Sequence, residues 1–207
     1  MGEVTKHITL EKEGSATIVE KKSEFIGYAK PIKSEEEAVE YIRQIRKKHA
    51  DARHNVYGYV IGNTTRYSDD GEPQGSSGLP TLEAIRKKGV FDCVVVTTRY
   101  FGGTLLGVGG LIRAYSHAAS IALDAARIIT YEKYTEFMLE TTYSDYQLIL
   151  QELPKYGVLT DDSEFSDRVT LTLAVKKIHY AELEARLSEI TAARCFMLET
   201  GERFDYR

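Results

Sequence analysis

Two cysteines in 207 residues, Cys93 and Cys195, leave no basis for a disulfide framework. Both stand in strand-like runs of what read as different domains. No further ligands lie at short spacing, so a zinc site is not expected. No apolar run approaches the roughly 18 residues of a spanning helix. The first residues, MGEVTKHITLEKEG, lack the apolar stretch of a secretory leader, and Lys6 stands where a myristoylation signal wants Ser or Thr. A cytoplasmic protein with reduced thiols and no membrane contact is expected. A basic excess is missing too: 27 Lys and Arg face 31 Asp and Glu, for a net charge of −4. Bulk electrostatics give no general attraction to nucleic acid, so any such contact has to come from a local basic face. No repeat, low-complexity segment or long linker is visible.

The patterning that is present predicts two domains. Residues 4–10 and 15–20 alternate apolar and polar about Gly14-Ser15, which predicts a hairpin. An extended run follows over 23–32. Ser34 with Glu37 is a capping box opening a helix over 34–50, with Ala38, Tyr41, Ile42 and Ile45 on its core face. Strands are expected at 54–61, 65–68 and 90–98, with a short helix near 79–88 and a long alanine-rich helix ending near Arg127. From about residue 131 the order is strand, helix, strand, strand, helix, strand. That is the βαββαβ order of a ferredoxin-like domain, with Ser144 as cap of its first helix and Pro154 ending that helix early. The expected fold class is α+β, with domains at 1–130 and 131–207.

Two stretches stand out chemically. Arg99 to Tyr115 (RYFGGTLLGVGGLIRAY) places Gly102, Gly103, Gly107, Gly109 and Gly110 between a strand and a helix, flanked by Arg99 and Arg113. Backbone N–H groups in such a turn can face an anion, or the glycines can let the alanine-rich helix pack close to the sheet. The spacing fits neither nucleotide fingerprint: Ile112 stands where a dinucleotide fold needs a small residue, and Leu111-Ile112 where a P-loop needs Lys-Ser/Thr. The second stretch, Asp69 to Pro80, carries Asp69, Asp70 and Glu72 among glycines and serines. It has almost nothing apolar and is expected at the surface. Its carboxylates suit Mg²⁺ or acid–base work, or simply a turn. No Gly-x-Ser-x-Gly elbow surrounds Ser76 and Ser77, and His54 reads as a packed or surface histidine.

Taken together, His54-Asn55-Val56-Tyr57-Gly58-Tyr59, Ser68-Asp69-Asp70-Gly71-Glu72-Pro73 through Ser76-Ser77-Gly78, and Arg99-Tyr100-Phe101-Gly102-Gly103 through Arg113-Ala114-Tyr115 resemble the IMPACT family, in its bacterial YigZ/YvyE-type branch. The resemblance implies an N-terminal α/β domain with the fold of ribosomal protein S5 domain 2, and a ferredoxin-like domain similar to the last domain of a translocase elongation factor. It implies a translation-associated binding protein engaging RNA, the ribosome or a translation-factor partner. Its binding residues are expected among Ser68, Asp69, Asp70, Glu72, Ser76, Ser77, Arg99, Tyr100, Phe101, Gly102, Gly103, Gly107, Gly109, Gly110, Arg113 and Tyr115. No catalytic residue, metal or cofactor is assigned. The alternative is a metal-assisted hydrolase or phosphate-handling enzyme using Asp69, Asp70 and Glu72.

Overall fold

The structure, a computed structural model, describes residues 6–206. These fall into two compact units, residues 7–130 and residues 131–206 together with Lys6. Together they make a mixed α+β chain with two antiparallel sheets and five α-helices.

In the first unit a short strand β1 (Lys6–Leu10) precedes β2 (Gly14–Glu20) and β3 (Ser23–Pro31). After helix α1 (Glu35–Lys48) come β4 (His54–Ile61), β5 (Thr64–Ser68), α2 (Gly78–Lys87), β6 (Cys93–Tyr100) and α3 (Val108–Ala125). The sheet order is β2-β3-β6-β4-β5, every pair antiparallel. Strand β6 is central and buried from Cys93 to Arg99, because helices cover both its faces. Val94 and Val96 pack with Tyr41, Ile42 and Ile45 of α1, while Cys93 and Val95 pack with Leu82 and Ile85 of α2 and Ala119 and Ala122 of α3. Ser34 caps α1 as its spacing predicts, accepting from the Glu37 N–H at 3.3 Å.

The expected first hairpin is not formed as read. Residues 4 and 5 lie outside the described residues, and β2 pairs with β3 instead, Glu20 opposite Ser23. The turn is Lys21-Lys22, with φ of 45° and 66°. Two consecutive left-handed residues match the twist of a tight hairpin, but lysine seldom adopts them, so the turn carries no residue signature. Gly14 and Ser15 are inside β2.

The alanine stripe of α3 (Ala114, Ala118, Ala119, Ala122) is buried on the sheet, as its pattern predicts. The glycines that allow this approach lie in β2 and β3 and not in the glycine-rich turn: a Cβ at Gly14 would stand 2.2 Å from the Ala126 nitrogen. A Cβ at Gly27 would stand 2.5 Å from the Ala118 carbonyl oxygen, closer than any side chain tolerates.

Beneath α1 a polar chain runs from the buried Tyr28–His49 contact out to the exposed Asp51. The Tyr28 hydroxyl lies 2.8 Å from His49 Nε2, His49 Nδ1 lies 2.9 Å from the Tyr100 hydroxyl, and Tyr100 donates to Asp51 at 3.0 Å. Tyr100 thus accepts from Nδ1–H, and Tyr28 donates to a neutral ring. Burial, with Lys48 adding to it, holds the His49 pKa below its ordinary value. The unfolded chain therefore takes up this proton first. The His49 contribution to stability is full above about pH 6.5 and declines as pH falls from there to the folded value. Melting temperatures of wild type and His49→Gln are expected to converge between about pH 7.5 and about pH 5.5. A separation that stays constant over that range would contradict this assignment.

The second unit begins within β7 (Ile128–Thr141) and continues through α4 (Tyr143–Glu152), β8 (Leu159–Phe165), β9 (Val169–Lys176), α5 (Lys177–Ile190) and β10 (Phe196–Asp205). Among the described residues this sheet has five strands: the order β10-β7-β9-β8 makes the ferredoxin-like pattern, and β1 also pairs with β7. Phe137, Leu139, Leu171 and Leu173 of the sheet meet Ile149 of α4 and Leu183 and Leu187 of α5. The cap of α4 is Thr142 and not Ser144: its hydroxyl accepts from the Asp145 N–H at 3.3 Å. Pro154 sits in a 3₁₀ turn (Leu153–Tyr156) that follows the end of α4.

Candidate functional site

Asp69 organises the acidic loop from within. Its carboxylate accepts from the Gly75, Ser77 and Gly78 N–H groups at 2.8, 3.1 and 2.8 Å, and from the Ser77 hydroxyl at 2.8 Å. It thereby caps the start of α2, with its negative charge at the positive end of that helix. Burial raises its pKa, but the hydrogen bonds from Gly75, Gly78 and Ser77 outweigh burial and leave it below the usual carboxylate value. Ser76 and Ser77 are fully buried, with Ser76 donating to the Pro73 carbonyl at 2.6 Å. The expectation of a wholly surface loop therefore fails at its C-terminal half. A polar segment can be buried when its polar atoms bond to one another.

Asp70 and Glu72 turn away from Asp69. The Asp70 carboxylate accepts from Arg46 and from the Asn55 N–H, both at 2.7 Å, and its carbonyl accepts from His54 Nδ1–H at 2.8 Å. The Ser68 hydroxyl lies 3.2 Å from the Asp70 N–H and accepts from it. Glu72 Oε1 accepts from Arg99 Nη1 at 2.6 Å and from the Tyr115 hydroxyl at 2.8 Å. The Glu72 and Arg99 side chains are only 4% and 6% exposed, so this is a buried ion pair. His54 Nε2 stands 3.9 Å from the same Glu72 oxygen.

Strand register sets these positions. Phe25 of β3, Arg99 of β6 and His54 of β4 lie opposite one another across three neighbouring strands. The Arg99 guanidinium lies 5.4 Å from the Phe25 ring centre and 5.6 Å from that of Phe101. The Tyr115 ring meets Phe25 edge-on at 5.1 Å. The 68–78 loop and the 99–115 stretch thus meet through Glu72, Arg99 and Tyr115. Between them is a cleft of about 440 Å³, lined by Arg53, His54, Glu72, Leu105, Leu106 and Val108 among others. The uncapped start of α3 opens onto it, with Gly107 at a φ of 72°.

The other expected residues are distributed around this cleft. Phe101 stands at its rim, 41% exposed. Tyr100 points to His49 and Asp51 instead. Gly102 passes against the β2–β3 turn, where a Cβ would lie 2.0 Å from the Lys22 carbonyl oxygen. Its N–H donates to the Ser23 hydroxyl at 3.1 Å. Gly103 is left-handed, with a φ of 82°, while Gly109 and Gly110 are in the first turn of α3. Arg113 does not join Arg99. It lies on the exposed side of α3, away from the Glu72 pair, and lines two other grooves. Arg53, Leu105 and Ser23 went unnoticed in the sequence, because each is of an ordinary type outside the patterned positions.

The three carboxylates that the hydrolase alternative needs are held by three separate sets of donors. Among the described residues no group of three or more His, Cys, Asp and Glu side chains is placed to hold a metal ion.

Comparison with known proteins follows the same division of the chain. The Impact N-terminal domain matches residues 21–123, and DUF1949, a domain of unknown function, matches residues 139–194. The chain is 34% identical over 188 residues to the IMPACT family member YvyE of Bacillus subtilis, covering 89% of this chain and 87% of that relative. It is 32% identical over 193 residues to the IMPACT family member YigZ of Escherichia coli, covering 90% and 95%. A crystal structure described as that of a hypothetical protein superposes with a TM-score of 0.60 at 27% identity, covering 96% of this chain and 99% of that one. The motifs of the two converging loops, the two domain matches and relatives aligned over nearly the whole length agree, and the chain belongs to the IMPACT family.

Proposed function

We propose that the chain is a translation-associated, cytoplasmic binding protein that engages RNA or the ribosome through the face built by the 68–78 and 99–115 loops. The observation that carries this reading is that the two loops form a single surface feature. Their conformation is fixed by the buried Glu72–Arg99–Tyr115 contacts, so they present a preformed face. Arg99 is neutralised within it, which leaves Arg113 as the arginine of the stretch available to a phosphate. In this reading residues 1–130 act as the contact domain and 131–207 as a second, separate domain.

The test is co-sedimentation of the purified protein with ribosomes. Association is expected at about 50 mM salt and to fall steeply by about 200 mM. Arg113→Ala is expected to weaken it without altering the melting curve, since Arg113 is exposed and makes no core contact. Absence of binding at low salt would overturn the reading. A second reading, a protein partner from the translation apparatus, is favoured by the exposed apolar rim: Leu105 is 82% exposed and Val108 55%. Capture of such a partner that survives nuclease treatment would select it.

A further inference from the structure

We propose that a single-stranded phosphodiester backbone runs across a basic ridge on the outer side of α3, outside the Glu72–Arg99 cleft. This rests on the RNA reading above and names the part of the surface that takes the phosphates. The ridge is Arg113 and His117, one helical turn apart on α3. On one side they border a groove of about 250 Å³ shared with Glu20 and Lys21 of the β2–β3 hairpin. On the other they border a groove of about 570 Å³ shared with Lys87 and Lys88 at the end of α2. Lys21, Lys87, Arg113 and His117 thus form a strip from the hairpin across α3 to α2.

The cations of this strip are left over from ion pairing, whereas several of their neighbours are not. Arg46 is held by Asp70, Arg99 by Glu72, Arg86 by Glu83 and Lys88 by Asp124. Lys21, Lys87, Arg113 and His117 have no hydrogen-bond or ion-pair partner among the described residues. The balance of the whole chain hides this. Residues 1–130 carry 18 Lys and Arg against 16 Asp and Glu, whereas residues 131–207 carry nine against 15. The negative net charge therefore comes from the second unit, and the first is mildly basic.

The lining decides between nucleic acid and an acidic protein. Protein interfaces have an apolar, tightly packed centre, whereas nucleic-acid interfaces are polar and cationic. The wider groove is floored by Ala84 and Ile112 only at its apolar positions. Its remaining side chains are the hydroxyls of Ser116 and Ser120, the cations, and Glu83, whose charge is met by Arg86. Hydroxyls and cations together suit phosphate oxygens. No Phe, Tyr or Trp lines either groove, and the His117 imidazole is the one ring among their lining residues, so the contact reads chiefly the backbone and binding there depends little on sequence.

The full chain is titrated with a fluorescent unstructured oligouridylate at several salt concentrations, alongside a Lys21→Gln/Lys87→Gln/Arg113→Gln variant. All three side chains are exposed, and circular dichroism checks that the variant stays folded. Loss of three phosphate contacts is expected to weaken binding by about tenfold or more and to lower the log–log salt slope by about 2. Oligouridylate binding with unchanged affinity and slope in the variant would overturn the ridge and leave the RNA reading standing. Equal binding of poly-L-glutamate by wild type, lost in the variant, would overturn the phosphodiester assignment in favour of an acidic protein. Failure of wild type to bind either oligouridylate or ribosomes at low salt would remove the RNA reading itself.

Discussion

Glu72→Ala is expected to destabilise the first unit by about 3–5 kcal/mol, because it leaves the Arg99 guanidinium buried without its counter-charge. The same change removes the acceptor of the Tyr115 hydroxyl, itself fully buried and pushed well above the ordinary tyrosine pKa by burial and by Glu72. At a few degrees per kcal/mol, thermal melting should fall by about 10 °C. Arg99→Ala should cost a similar amount, since it strands the carboxylate. The paired replacement Glu72→Leu/Arg99→Met should recover most of the loss, because a buried ion pair and an apolar pair of similar size are close in stability. A Glu72→Ala protein that melts within about 2 °C of wild type would show that the pair is solvated in solution. The double replacement also separates two roles. If it folds normally yet fails to associate with ribosomes, the pair shapes the binding face in addition to holding the fold.

Asp69→Ala should cost about 3 kcal/mol, on the scale of hydrogen bonds to a charged group. Three backbone N–H groups and a hydroxyl converge on that carboxylate, and two of the N–H groups belong to the start of α2. Its pKa is depressed in the folded chain, so its contribution is complete above the unfolded value of about 3.9 and is lost as pH falls through the folded value. Denaturant midpoints of wild type and Asp69→Ala should differ widely at neutral pH and approach each other only below about pH 4. Hydrogen exchange at Gly75, Ser77 and Gly78 should speed up in the variant. Unchanged exchange at these amides would rule out the capping role.

Periodicity made the helices legible, since Ala38, Tyr41, Ile42 and Ile45 recur at helical spacing and do form the buried face of α1. The same logic found the second unit, strand by strand. It failed at Lys21-Lys22 because a left-handed turn without glycine or asparagine leaves no mark in residue type. It also failed at the acidic loop. Patterning equates polar with exposed, and nothing local reveals that Glu72 will meet an arginine 27 positions away. The two arginines of the glycine-rich stretch look like a pair in the sequence. One ends a strand and faces inward, while the other sits on the outward side of a helix, and only the register of β6 and the phase of α3 separate them.

The contact of Gly27 with the backbone of α3 bears on how recognition works at this face. At Gly27 the helix backbone rests on the strand with nothing larger than alanine between them, so this point of contact has no large side chain to compress or re-pack. A ligand taken at the start of α3 as proposed would meet a closely packed helix, with accommodation expected from residues 101–107, which include the left-handed Gly103 and Gly107. If this face is the binding face proposed above, selectivity there is expected to come from the shape the connecting segment takes.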